Sequence, residues 1–121
     1  ITYDFINEKL EYLGGAIAPG LNMRYQALPH FTAALPLTRS DGELIELIGN
    51  STQNSIKSGV HNGLVAEVER TIEQYQNRFE NLVIVITGGD AEIFAHLTKN
   101  GIFARPNFLL TGLNFILEYN A

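Results

Sequence analysis

Cysteine is absent from the chain, and so is tryptophan. Without a thiol there is no disulfide framework and no thiolate metal site, a composition that suits a reducing compartment and leads us to expect a cytoplasmic protein. Charge is sparse at 17% of residues, and 8 Lys and Arg against 13 Asp and Glu give a formal charge of −5. Basic residues scattered singly on an acidic chain make no patch for a phosphate backbone or an anionic bilayer, so direct nucleic-acid binding is not expected. No apolar run reaches the roughly 18 residues of a membrane-spanning helix, and no basic-then-apolar leader opens the chain, so neither a membrane span nor a signal peptide is expected. Gly-x-Ser-x-Gly is missing, which removes the nucleophile elbow, and His30, His61 and His96 share no metal-ligand spacing.

What is present is 121 residues, one domain's worth, of which 45% are hydrophobic. With so little charge, part of the apolar surface is expected to meet a partner. The most informative stretch is Leu82-Val83-Ile84-Val85-Ile86-Thr87-Gly88-Gly89-Asp90. Its unbroken apolar run predicts a central strand buried on both faces. Asp90 follows as an N-cap for a helix over Ala91–Lys99, with Ile93, Phe94 and Leu97 on its buried side and Asn100-Gly101 as its left-handed end. The glycines between strand and helix leave backbone open to a ligand.

Earlier in the chain, Ile1, Tyr3 and Phe5 alternate with Thr2 and Asp4, the period of a half-buried strand. That pattern sets a hydroxyl and a carboxylate side by side on the other face. Asn7-Glu8-Lys9 turns the chain and Leu10–Leu13 returns as a hairpin. Gly14-Gly15-Ala16-Ile17-Ala18-Pro19-Gly20 then reads as a separate extended piece, a third strand in outline, before a helix over Leu21–Leu28 that Pro29 ends or holds to its preceding turn. Phe31–Pro36 is irregular and Asp41–Ile48 a short helix.

The longest element starts at Gly49-Asn50-Ser51-Thr52, capped by Asn50 or Ser51. Ile56, Val60, Leu64, Val68, Ile72, Tyr75 and Phe79 recur every three or four residues. They draw one apolar stripe along a helix of about 28 residues, roughly 42 Å long. Gly59 and Gly63, four apart, call for something close: a crossing helix, which is the plainer reading, a dimer mate, or a ligand. Arg105-Pro106 is extended, and a final helix runs from about Thr111 to Asn120. The order of elements predicts an α/β layer with mixed strand directions.

Three separated segments, Thr2-Tyr3-Asp4, Gly14 to Gly20, and Thr87-Gly88-Gly89-Asp90, together with Phe31-Thr32-Ala33-Ala34-Leu35-Pro36, Gly49-Asn50-Ser51-Thr52 and Gly112-Leu113-Asn114, resemble the C-terminal half of type III pantothenate kinases, the Bvg accessory factor family. The resemblance implies a ribonuclease-H-like domain of the actin and sugar kinase superfamily, a mixed sheet flanked by helices, spanning residues 1–121 as the second of two domains. The chain opens on Ile1 without methionine, which reads as a cut through a larger protein whose N-terminal domain is missing. The implied activity is phosphoryl transfer from ATP to the 4′-hydroxyl of pantothenate in coenzyme A synthesis, with Mg2+ and a monovalent cation, K+ or NH4+. Thr2 and Asp4 match the end of the family's second phosphate motif, with Asp4 on a cation. Gly88, Gly89 and Asp90 match the adenosine motif, and Gly15, Pro19 and Gly20 line the same cleft. Thr52 matches the region that reaches the pantothenate pocket of the other subunit in a homodimer built on the long helix, 51–79. The first phosphate loop and the segment with the general base have no counterpart here, so no catalytic residue is expected in this chain and it is expected to be inactive alone. A non-catalytic accessory domain acting through protein contacts is the alternative.

Overall fold

The opening alternation becomes strand β1, Thr2–Ile6, in the computed structural model, which describes residues 1–97 and 102–121. Tyr3 and Phe5 are half-buried while Thr2 and Asp4 are exposed. Asn7 builds the turn: its side-chain oxygen accepts from the N–H groups of Lys9 and Glu11, and Leu10 adopts a left-handed φ of 62°. Strand β2, Tyr12–Ile17, then runs antiparallel to β1, with Thr2 opposite Ile17 and Asp4 opposite Gly15. This corrects the expected hairpin. Leu10 belongs to the turn, so the return strand starts at Tyr12, and the glycine segment is its second half rather than a strand of its own.

Helix α1, Leu21–Phe31, buries Leu21 and Tyr25. It runs past Pro29, because a proline so near the end removes a single backbone donor, and the Thr32 hydroxyl donates to the Leu28 carbonyl at 2.6 Å to close the last turn. The short helix expected over Asp41–Ile48 does not form. Side chains compete for that segment instead. The Lys57 ammonium pairs with Asp41 and, at 3.3 Å, with Glu43; Ser58 donates to the Leu47 carbonyl at 2.6 Å, and Ser55 to the Gly49 carbonyl at 3.2 Å. Carbonyls spent on hydroxyls and a left-handed Gly42, φ 76°, leave little for a helix.

Helix α2, Thr52–Arg78, carries the stripe as predicted. Ser51 is its cap, accepting the Asn54 N–H at 3.1 Å, while Asn50 meets the Asn54 side chain. Ile56, Val60, Leu64 and Val68 are buried, Leu64 completely, and Ile72, Tyr75 and Phe79 are half-buried. Among the described residues no helix crosses closely over Gly59 and Gly63, contrary to expectation: a Cβ on either would meet no atom within 4 Å. The described residues gather in two compact units, Ile1–Leu64 and Val65–Ala121, and α2 contributes a stretch to each.

In the second unit, strand β3, Ile84–Ile86, pairs in parallel with an unanticipated strand β4, Ile102–Ala104. Leu82, Ile84 and Ile86 are half-buried, but Val83 and Val85 are exposed. The expectation of burial on both faces therefore fails within this chain. Between the strands lies a 3-10 helix over Ala91–Leu97 instead of an α-helix. Ala91, Phe94 and Leu97 are its buried residues, the three-residue repeat that such a helix imposes, and Ile102 is buried with them. The predicted helix end at Lys99 and the Asn100-Gly101 cap lie outside the described residues. After a turn at Pro106 and Asn107, helix α3, Phe108–Tyr119, starts three residues before the expected Thr111 and buries none of its residues. The architecture is mixed α/β, small sheets flanked by helices. Among the described residues no helix is long and apolar enough to cross a membrane.

Two outcomes follow from this packing. Leu64→Ala should cost about 2–5 kcal/mol in urea unfolding, because it empties a fully enclosed site. The hydrogen bond between Lys57 and Asp41 lowers the Asp41 pKa and raises that of Lys57. The depressed carboxylate gives a contribution that is whole above the ordinary value of about 3.9 and lost as pH falls through the lowered one. The raised ammonium gives one that is whole below about 10.4 and lost as pH rises through the higher value. Asp41 should therefore titrate below about 3.9 by NMR, and Lys57→Met should return it to that value while speeding proteolysis of residues 38–49.

Candidate functional site

The hairpin gathers five of the sequence-predicted residues in the first unit. Thr2 and Asp4 stand on its exposed face, with Gly15 directly across from Asp4. Gly15 is glycine for a local reason: a Cβ there would lie 1.5 Å from the Tyr3 carbonyl oxygen. The Ile1 amino group donates to the Ala18 carbonyl at 2.8 Å, and the Ala18 N–H donates back to Ile1 at 2.9 Å, which extends the pairing to the edge of Pro19 and Gly20. Arg24 Nε then donates to the Pro19 carbonyl at 2.8 Å, tying that turn to the first turns of α1.

Asp4 has a partner that the sequence reading missed. The Tyr12 hydroxyl donates to Asp4 Oδ1 at 2.9 Å, and this bond to a carboxylate pushes the Tyr12 pKa up. The bond ties one Asp4 carboxylate oxygen to the return strand, on the side toward Ile6. Tyr12 would have been found had the return strand been placed at Tyr12–Ile17, since register then sets it across from Ile6 and within reach of Asp4. Chemically, the face offers a hydroxyl donor for an anionic oxygen and one carboxylate for a cation.

Thr52, at the start of α2, lines a groove of about 780 Å³ in the same unit. Arg24 and Ser55 line it too, neither singled out from the sequence, and Leu28, Leu35, Ile56 and Gly59 form much of the apolar lining. A small molecule with an apolar middle and polar ends suits such a lining.

Gly88, Gly89 and Asp90 form a separate corner in the second unit. Gly88 takes a φ of 99°, which a side chain rarely tolerates, and a Cβ on Gly88 or Gly89 would find nothing within 4 Å. Asp90 joins the corner through its backbone, its carbonyl accepting the Ile93 N–H at 3.1 Å. The Gly88 carbonyl accepts the Ala91 N–H at 3.2 Å. Near the end of β4, Val85, Phe103, Arg105 and Phe108 help line a second hollow, of about 640 Å³. His96 meets Glu69 at 3.2 Å on an exposed surface. No group of three or more His, Cys, Asp or Glu able to hold a metal exists among the described residues.

Comparison with known proteins follows the same lines. A family profile described as type III pantothenate kinase matches residues 1–74. A type III pantothenate kinase of Christiangramia forsetii is 53% identical over 120 residues, covering 99% of this chain and 49% of the relative. Those of Flavobacterium johnsoniae and Flavobacterium psychrophilum are 50% and 48% identical over 119 residues. In each of these two the match takes in 98% of this chain, and 48% and 49% of the relative. The chain thus spans about half the length of the curated relatives it matches.

Asp4→Asn removes the negative charge beside the phenol. Tyr12 should then titrate lower, toward its ordinary value of about 10, as read from the ultraviolet absorbance of the phenolate during an alkaline titration. A midpoint that does not move would mean that the pair is not formed in solution.

Proposed function

Because this chain belongs to the type III pantothenate kinase family, we propose that it is the second, ribonuclease-H-like half of a cytoplasmic, homodimeric ATP-dependent pantothenate kinase. The observation that carries the reading is 53% identity to such a kinase across 99% of the chain. In the reaction the 4′-hydroxyl oxygen of pantothenate forms a bond to the γ-phosphorus of ATP. The bond from that phosphorus to the β,γ-bridging oxygen breaks, ADP leaves, and the hydroxyl proton passes to a base in the other half. The product is 4′-phosphopantothenate.

Phosphoryl transfer is mainly positioning and charge neutralisation, which fits what these residues offer. Thr2 donates its hydroxyl to a phosphate oxygen, and Asp4, held by Tyr12, faces the cation. Asp4, exposed and bonded to Tyr12, would hold Mg2+ through its carboxylate, the hard oxygen donor that this ion prefers. When bound, the metal supplies neutralisation of charge on the transferring phosphoryl group. A monovalent cation, K+ or NH4+, belongs to the same reading. Gly88 and Gly89, with Asp90 beside them, would offer bare backbone to the adenosine, and the resemblance separately assigns Gly15, Pro19 and Gly20 to nucleotide binding. Thr52, which lines its groove with Arg24 and Ser55, serves the pantothenate pocket of the second subunit. Open space above Gly59 and Gly63 agrees with a dimer mate along α2.

The test is a coupled assay of ADP release with pantothenate and Mg2+, with and without K+. The protein with both halves should turn over, Asp4→Asn in it should lower kcat on the order of 100-fold, and the 121-residue chain should give no turnover. Activity of the chain alone would overturn the division of labour. A silent full-length protein would overturn the kinase and favour an accessory role through protein contacts.

A further inference from the structure

Between α1 and α2 the chain runs from residue 32 to residue 51 without a helix or a strand. An irregular connection longer than about 15 residues is uncommon inside a compact unit, and where one occurs it is either disordered or functional. This one is held in place, though not by burial. Leu37, Leu44, Leu47 and Ile48 are each more than half exposed, and Thr38 is the single buried residue in the segment. Its fixed points are polar and come from α2. The Lys57 ammonium donates to the carboxylates of Asp41 and Glu43, and the Ser58 hydroxyl to the Leu47 carbonyl at 2.6 Å. The Lys57 side chain is only 12% exposed, so it has little freedom left to lose by staying on its partners. Burial pushes the pKa of the Tyr25 phenol up, and the charges of Lys57 and Asp41 act on it in opposite senses, which sets this pair close to the fully buried ring of α1.

The same segment supplies a wall to the groove that Thr52 lines. Helix α1 gives Leu28, α2 gives Ile56 and Val60, and the irregular connection gives Leu35, which is half-buried. Pro36, next in the chain, disfavours helical backbone at Leu35. Two of these walls are helices, kept in shape by their own backbone hydrogen bonds. The third has no ladder of its own and stands where the ties to α2 put it. A ligand that needs a wall in place binds more weakly in proportion to the fraction of time that the wall is away.

We propose that Lys57 is a positioning residue for the ligand of this groove. It is not part of the lining, but by holding Asp41 and Glu43 it fixes the segment that carries Leu35 and so keeps the third wall standing. Ser58 secures the same segment farther along, at Leu47. The proposal rests on reading the groove as part of a pantothenate site, and adds a residue outside the groove that sets the affinity for that substrate.

Steady-state kinetics of the full-length protein test it, with pantothenate and ATP varied in turn and pantothenate affinity measured separately by calorimetry. Lys57→Met should raise both KM and Kd for pantothenate about tenfold, as for a wall in place roughly a tenth of the time, and leave KM for ATP and kcat unchanged. Lys57→Arg, which keeps the charge, should recover most of the affinity. Asp41→Asn loosens the same tie without altering α2 and should weaken pantothenate binding in the same direction, so the test survives poor folding of Lys57→Met. A variant that was merely unstable would lose kcat with its folded fraction and keep its KM. Pantothenate KM and Kd that stay put in both variants would overturn the proposal and leave the kinase reading standing. Equal rises in the KM of ATP and of pantothenate would overturn it too. A full-length protein that binds pantothenate without turnover would sink the kinase reading, and a tenfold loss of affinity in Lys57→Met would still uphold the positioning role. One that neither binds pantothenate nor turns over would overturn both.

Discussion

The apolar stripe of α2 is the constraint on which the molecule depends. Ile56, Val60, Leu64 and Val68 are four of the ten buried hydrophobic residues among those described, and they sit on one line along one helix. Each fully buried aliphatic side chain is worth about 1.5–3 kcal/mol of transfer free energy, so this one line is a large part of what opposes chain entropy. The polar contacts from the same helix act on the chain that precedes it. Lys57 and Ser58 lie next to the buried Ile56 and hold residues 41–47 without any regular structure of their own. A rigid helix thereby fixes a long irregular segment by its side chains.

A second constraint sets the hairpin. Because no Cβ fits between Gly15 and the Tyr3 carbonyl, the pairing there admits only glycine, and the register follows. In a strand a slip of one residue would turn every side chain to the opposite face. Thr2 and Asp4 would then point into the half-buried side and Tyr3 and Phe5 outward. The chemistry offered by the exposed face is thus a consequence of a steric requirement on the partner strand, and Tyr12 refines it by fixing one carboxylate oxygen.

Where side-chain period decided the structure, the sequence was readable. The alternation at Thr2–Ile6 and the three-to-four spacing along α2 each reflect a single buried face, and both elements appeared within a residue or two of their expected bounds. Readings that rested on a local breaker or on a short apolar run fared worse. Asp41–Ile48 has helical composition, but Lys57 takes the Asp41 and Glu43 carboxylates and Ser58 the Leu47 carbonyl, contacts that sequence spacing does not reveal. Ile102–Ala104 is too short to show a period, and it exists because β3 gives it a ladder. Of the candidate site, the hairpin residues could be found as a group, whereas Tyr12, Arg24 and Ser55 needed the pairing and the groove to be seen first.

The glycines show why the unexplained features all point outward. Gly15 answers to a neighbouring backbone and Gly88 to a φ of 99°, so each has a cause inside this chain. Gly59, Gly63 and Gly89 have neither: their backbone is ordinary and the space above them is open. A glycine in the middle of a helix costs roughly 0.8–1 kcal/mol relative to alanine, and two on α2 double that cost with no return visible in the chain. The same imbalance holds for Val83, Val85 and the eight large apolar residues of α3, exposed where a neighbour would stabilise them. Parallel strands in particular are covered on both faces when a fold is complete. Small residues without a close neighbour and large ones without a cover are thus the positions whose residue type no contact among the described residues explains.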